Sequence, residues 1–202
     1  MSWWKTDQWR AYEAACGVEK PRHVELAEAT FQTRVVDLRP TELELWQGLR
    51  KSYRQTVRDA AAIYSAFTEG YTVEQFRELH FEQAKRETRH RTSWDLMSKW
   101  HADGQLLLVT GARGLCGKPL AFAAFEVWDG WAYYGHAAST VPDLAHALIW
   151  KAIKALKECG VTRLEMGWQN QDTTDKGKRI EFFRRGFGGI DVPAREGEAK
   201  WD

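Results

Sequence analysis

Apolar residues change their spacing from one stretch of this chain to the next, and each spacing implies an element. Thr6 to Cys16, with Asp7 near its start and Gly17 after it, predicts a short helix. Residues 18–30, which include Pro21, read as irregular. Phe31–Leu38 alternates loosely around Val35 and Val36 and predicts a strand. After Pro40, Thr41 and Glu44 form a capping-box signature. Leu45, Leu49, Tyr53 and Val57 follow at helical spacing and carry one helix to about Ile63. Gly70 interrupts the pattern. Thr72 and Gln75 cap a second helix that reaches about Lys85, and Ser93 to about His101 reads as a third.

The second half of the chain is patterned for a sheet. Gln105–Thr110 and Leu120–Trp128 are apolar runs of strand length, and Trp131–Ala138 returns after Asp129-Gly130. That pair tolerates positive φ at both positions, which favours a tight hairpin. Pro142–Cys159 is amphipathic with a 3.6-residue period and ends at Gly160. Val161–Trp168 reads as a strand, Lys178–Arg185 as a short helix stopped by Gly186, and about Asp191 to Trp201 as a last strand. The order β-α-α-β-β-β-α-β-α-β takes an antiparallel meander into one β-α-β crossover. It predicts an α+β protein with a mixed sheet flanked by helices. This order resembles the GNAT acyltransferase fold. Residues 1–30 are expected as a helical preface, and 31–202 as a single GNAT-like domain.

Composition narrows the function classes. An apolar fraction of 44% and a charged fraction of 28% are those of an ordinary globular protein. No apolar run approaches the roughly 20 residues needed to span a bilayer, and the first residues lack the order of a secretion signal. The expected location is the cytoplasm. Cys16, Cys116 and Cys159 have neither disulfide-framework nor zinc spacing, and the six histidines show no ligand pattern. With no P-loop, GxGxxG, GxSxG or HExxH signature, neither a metal nor a tightly held cofactor is expected. A net charge of +1 gives little whole-molecule attraction to nucleic acid, so the local placement of charge matters more.

Two basic segments stand out. Arg50, Arg54 and Arg58 recur every four residues on one helical face beside Lys51. Lys176, Lys178, Arg179, Arg184 and Arg185 cluster against Glu181 alone. Both lie where they would flank the strands on either side of the crossover helix. The resemblance to a GNAT-type sheet implies that those strands, Trp131–Ala138 and Val161–Trp168, are parallel neighbours that splay apart. The gap would expose backbone groups to an extended donor. A backbone N–H between Gly135 and Ser139 would then steady the oxyanion, although Gly135 is equally a residue that relaxes a bulge. The turn entering the crossover helix, Ser139-Thr140-Val141-Pro142-Asp143, contains no glycine. Pro142 removes an amide, and Asp143 places a negative charge where a pyrophosphate would lie, which argues against ordinary coenzyme A binding. His146 in the first turns of that helix and Glu165 in mid-strand are the candidate proton relays. Tyr134 of the Tyr133-Tyr134 pair, and Ser139, are further candidates for the catalytic set.

Several stretches resemble the Fem-type aminoacyltransferases that build peptidoglycan cross-bridges. They are Leu45–Arg54, Thr88-Arg89 with Ser93-Trp94, Tyr133–Ser139, His146–Lys154 and Ile180–Gly189. The last is the most specific, joining an aromatic pair, a basic residue and Gly-Phe-Gly-Gly. The resemblance covers roughly residues 40–190. It implies transfer of an amino acid from aminoacyl-tRNA to an amine of a peptide or peptidoglycan-precursor-like acceptor. The two basic segments suit a phosphate-rich ligand, a tRNA acceptor stem or a diphosphate, and the candidate substrate or phosphate contacts are Arg50, Lys51, Tyr53, Arg54, Arg89, Lys178, Arg184 and Arg185. The resemblance puts Arg184 where the family carries a lysine that helps hold acceptor phosphate. Family members carry two GNAT-like halves with the acceptor between them. This chain has length for one, so either a homodimer completes the site or the acceptor differs, as in a tRNA-dependent ligase of peptide-antibiotic synthesis. The rival expectations are an acyl-CoA- or acyl-carrier-dependent N-acyltransferase and a non-catalytic binding module.

Overall fold

The computed structural model describes residues 30–87, 89–114, 117–169 and 174–195. The expected 6–16 helix and the end of the C-terminal strand lie outside the described residues. The elements in chain order are β1 (Thr30–Asp37), α1 (Glu42–Gly48), α2 (Lys51–Ile63), β2 (Ser65–Phe67), α3 (Val73–Ala84) and α4 (Arg91–Ala102). They continue with β3 (Leu106–Ala112), β4 (Pro119–Trp128), β5 (Trp131–Ser139), α5 (Leu144–Glu158), β6 (Arg163–Gln169), α6 (Asp175–Arg185) and β7 (Ile190–Arg195).

The strands form one mixed sheet in the order β2-β3-β4-β5-β6-β1-β7. Every neighbouring pair is antiparallel except β5 and β6, the two strands joined through α5. Asp129 and Gly130 take φ of 40° and 75°, the left-handed pair that a two-residue hairpin requires, and Trp128 closes opposite Trp131.

Successive β4 side chains enter opposite layers, as a period of two demands. Ala121, Ala123 and Phe125 join the layer that contains α2 and α5, with Tyr53, Val57, Leu148, Ile149, Leu164 and Met166. Phe122 and Ala124 join the layer of α3 and α4, with Phe76, Trp94, Met97 and Trp100. Both faces of β4 are covered, which is why its sequence is a continuous apolar run rather than an alternation. Burying a Phe or Leu side chain contributes roughly 1.5–3 kcal/mol, and Phe76, Phe122, Phe125 and Leu148 are all fully enclosed.

The structure departs from the sequence expectations at element ends. The helix expected from Thr41 to Ile63 is two helices. Leu49 and Arg50 between them are extended, with ψ of 144° and 139°. The break seats Leu49 in the core and turns the Arg50 N–H onto the Gly186 carbonyl at 2.8 Å. β2 has only three residues at the sheet edge, too short to leave an apolar signature. α4 begins two residues before Ser93, capped by His90. α5 begins at Leu144 rather than Pro142, because Asp143 sits at φ 65°. α6 begins three residues before Lys178, where the Thr174 hydroxyl accepts the Gly177 N–H.

Gly186 locks α6 against α2. A Cβ built there would lie 1.9 Å from the Tyr53 ring. Gly186→Ala is therefore expected to destabilise the protein by about 2–3 kcal/mol through overpacking. Urea unfolding checks this; unchanged stability would show that Tyr53 does not pack there.

Candidate active site

The parallel ladder between β5 and β6 lasts only three positions: Trp131 opposite Arg163, Ala132 opposite Leu164 and Tyr133 opposite Glu165. Beyond them β5 stays with β4 and β6 stays with β1, so the two strands part and a cleft opens. Each wall carries a bulge at the point of parting. On β5, Ala124 faces His136 and Phe125 faces Tyr134, leaving Gly135 as the extra residue. On β6, Arg34 faces Gly167 and Val35 faces Glu165, leaving Met166 extra. Bulges add local twist and re-aim side chains.

Gly167 (φ 93°) supports the basic wall of the cleft. A Cβ at this position would stand 3.0 Å from Arg184 Nη2 and would push the guanidinium back by a few tenths of an ångström, and the positive φ itself favours glycine here. Arg184 Nη1 donates to the Trp168 carbonyl at 2.6 Å. Burial lowers the Arg184 pKa from its usual value, against the pull of Tyr133, Tyr134, Glu181 and Glu165. Tyr134 packs on Phe125 with centroids 5.3 Å apart, and burial pushes its hydroxyl up to about 12.

The layer of α3 and α4 holds a polar group at the same bulge. Glu126 lies opposite Tyr133, and Tyr133 lies opposite Glu165, so the three form a row across β4, β5 and β6. Glu165 is buried and accepts the Thr33 hydroxyl at 2.7 Å. The Glu126 Oε1 would be 3.1 Å from a Cβ on Gly135, so the missing side chain there gives the carboxyl its place. Arg89, from the segment between α3 and α4, sets its Nη2 2.7 Å from His136 Nδ1. A guanidinium only donates, so Nδ1 is the acceptor and the imidazole proton sits on Nε2, 4.0 Å from Glu126 Oε1. Burial, then Arg89, hold His136 well below its ordinary value. Burial pushes Glu126 up to about 7; Arg89 opposes the shift and Glu165 adds to it. Burial also raises Tyr133. The Arg89 Nε is buried without a hydrogen-bond partner.

The remaining sequence candidates gather elsewhere. His146 stands in an aromatic cage, 4.3 Å from Tyr53, 5.0 Å from Phe183 and 6.1 Å from Phe187. Its Nδ1 is 3.1 Å from the Asp143 carbonyl, and burial lowers its pKa. Arg50 lies over the exposed Phe182 ring at 3.6 Å and also reaches Tyr53. Arg54 is committed to the Gln47 and Leu49 carbonyls at 2.8 and 2.6 Å, and Arg58 to the Trp46 ring. Lys51 and Lys178 are exposed. Arg185 pairs with Asp191 at 3.2 Å. Ser139 is engaged locally, donating to the Val141 carbonyl at 2.6 Å. Thus the cleft brings together Tyr134, Glu165 and Arg184. Tyr53, His146 and Arg50 form a second group under α6, and Arg89 stands in the α3–α4 layer beside the row of Glu126, Tyr133 and Glu165.

Two residues of the cleft, Glu126 and His136, fall outside the set expected from sequence. The signal for Glu126 was present: it is the one charged residue in the apolar run Leu120–Trp128, the same anomaly that singles out Glu165.

No protein-family model and no curated protein match this sequence. Solved structures do. FemX matches at 14% identity with a TM-score of 0.68 over 83% of this chain and 61% of its own. The C-terminal domain of an Agrobacterium fabrum protein assigned as a lysylphosphatidylglycerol synthetase matches at 15% and 0.56, over 81% and 58%. L-PGS from Bacillus licheniformis matches at 12% and 0.53, over 80% and 58%. At these identities the likeness is one of fold: a GNAT-like α+β fold shared with FemX. The chain spans about three fifths of the length of these structures. No helix among the described residues is long and apolar enough to cross a membrane.

Proposed function

We propose that this chain transfers an aminoacyl group from aminoacyl-tRNA to an amine of a peptide-like acceptor, forming an amide bond. The observation that carries this reading is the state of the amides between β5 and α5. Thr140 N–H is bonded to Leu120 O, Val141 N–H to Ser139 Oγ, Leu144 N–H to Pro142 O and His146 N–H to Asp143 O. Pro142 has no N–H. A helix start whose amides are bonded internally has few left for a pyrophosphate, and Asp143 repels one. A donor must then be held by side chains. Arg184, in the cleft, and Arg50, beside the exposed Phe182, supply a cation and a stacking surface, features that suit a polynucleotide end. FemX and the lysylphosphatidylglycerol-synthetase domain share this fold, which supports acyl or aminoacyl transfer as the class of reaction.

In this reading a backbone N–H between Gly135 and Ser139 stabilises the oxyanion, and the parted strands position ester and amine. Lys51 and Lys178, both exposed, extend the phosphate-facing surface, whereas Arg54 and Arg185 are held by the Gln47 and Leu49 carbonyls and by Asp191. Glu165 or His146 relays a proton. Incubation with tRNA charged with labelled amino acid and a panel of amines is expected to give amide product that disappears when the tRNA is digested first. Acetyl-CoA at a hundredfold excess over a typical dissociation constant is expected to leave the melting temperature unchanged, where a true ligand would add about 2.7 kcal/mol. Transfer from acetyl-CoA alone would overturn the reading and favour an N-acetyltransferase.

A further inference from the structure

The row on the α3–α4 side of the cleft leaves one carboxyl loosely paired. Arg89 faces Glu126 and Arg184 faces Glu165, but Glu126 Oε1 stands 4.0 Å from His136 Nε2. His136 cannot meet it as a cation, because its Nδ1 is occupied as an acceptor from Arg89. Beside this loosely paired carboxyl stands a donor short of an acceptor, the buried Arg89 Nε without a partner. The Glu126 and His136 side chains keep 13% of their surface exposed, so the corner is open to a small group. It adjoins Gly135, the bulge beside which the donor carbonyl is placed.

We propose that this corner binds the acceptor: Glu126 receives the attacking amine and takes its proton, and Arg89 Nε takes an oxygen carried next to that amine. The acceptor is therefore amino-acid-like, an amine with a neighbouring carboxylate or carbonyl, rather than a simple alkylamine. The assignment rests on the transferase reading above. The ammonium loses one proton to the Glu126 carboxylate. The freed lone pair forms the N–C bond, the carbon–oxygen ester bond breaks, and the second nitrogen proton leaves with the departing alkoxide. Glu126 then returns its proton to solvent. A carboxyl held near neutrality is matched to that exchange. The titratable groups facing it are Arg89 and His80 from the helical layer, Tyr133 and His136 from β5 and Glu165 from β6.

The test has two arms. In the first, L-amino acids and dipeptides are titrated by calorimetry, each beside its decarboxylated amine. The wild type is expected to prefer the oxygen-bearing partner by tenfold or more. Arg89→Gln removes that preference, and Glu126→Gln weakens both partners. No binding, or binding indifferent to both substitutions, overturns the assignment even if no donor has been found. In the second, transfer from charged tRNA is followed against pH. Glu126→Gln is expected to lower kcat at least 100-fold and abolish the fall in kcat below neutrality, with Glu126→Asp restoring part of both. Transfer that proceeds with kcat within threefold and an unchanged pH profile sinks the acceptor corner while leaving the transferase reading intact.

Discussion

Replacing Arg184 by alanine is expected to cut kcat/KM for transfer by about 100- to 1,000-fold, a loss of about 3–4 kcal/mol of transition-state stabilisation. The magnitude follows from where the guanidinium lies. It is partly desolvated against Gly167 and tied by Nη1 to the Trp168 carbonyl at the mouth of the parted strands. A cation so held needs little reorganisation to meet a phosphate or a developing negative charge, and a charge-assisted bond made in such a site is stronger than one in water. Lysine at this position keeps the charge but loses the fork, and the Trp168 carbonyl then competes with the ligand for one ammonium. Arg184→Lys is expected to fall between wild type and alanine. Steady-state kinetics on all three proteins, with circular dichroism melts to verify folding, check this. An alanine variant within threefold of wild type would remove Arg184 from the donor site.

How much of this was legible beforehand depended on the length scale of the signal. α5 and the β4–β5 hairpin were readable because many residues vote together: eight buried positions of α5 recur at helical spacing, and Asp129-Gly130 leaves few alternatives for the turn. The parallel pairing of β5 and β6 followed from the β-α-β order, and their parting was an expectation from the likeness to a GNAT-type sheet. The break at Leu49–Arg50 was invisible, because Leu45, Leu49 and Tyr53 face the same apolar layer whether the helix is whole or interrupted. What separates the two cases is a hydrogen bond to Gly186, far away in sequence. The basic segment of α2 shows the same limit. Spacing put Arg50, Arg54 and Arg58 on one face, yet Arg54 caps carbonyls at the end of α1 and Arg58 lies on Trp46. Only contacts across the fold distinguish a cation reserved for a ligand from one already used. Arg89 and His136 belong to this class too, being neighbours only because α3 and α4 fold back over β5.

Glu126→Gln is expected to stabilise the protein by about 3 kcal/mol at pH 8 and to leave it nearly unchanged at pH 4. The folded carboxyl titrates near 7, whereas its ordinary value is 4.5. Between those values the unfolded chain has released its proton and the folded chain still holds it. The folded state therefore binds more protons, and stability falls as pH rises through this window. Each unit is worth about 1.4 kcal/mol, so the interval amounts to about 3 kcal/mol, lost in full above pH 7. Glutamine mimics the protonated carboxyl at every pH and removes the loss. His136 pulls the other way: its folded value is depressed, so its contribution is lost as pH falls below the ordinary histidine range. The wild-type profile mixes the two, and the difference between variant and wild type isolates Glu126. Urea titrations of both proteins from pH 4 to 8 measure that difference directly. A flat difference would mean the carboxyl is ordinary. A rising one would show that the fold holds at this bulge a destabilising ionisable group which an amide of the same shape would relieve, the signature of a position kept for chemistry rather than for packing.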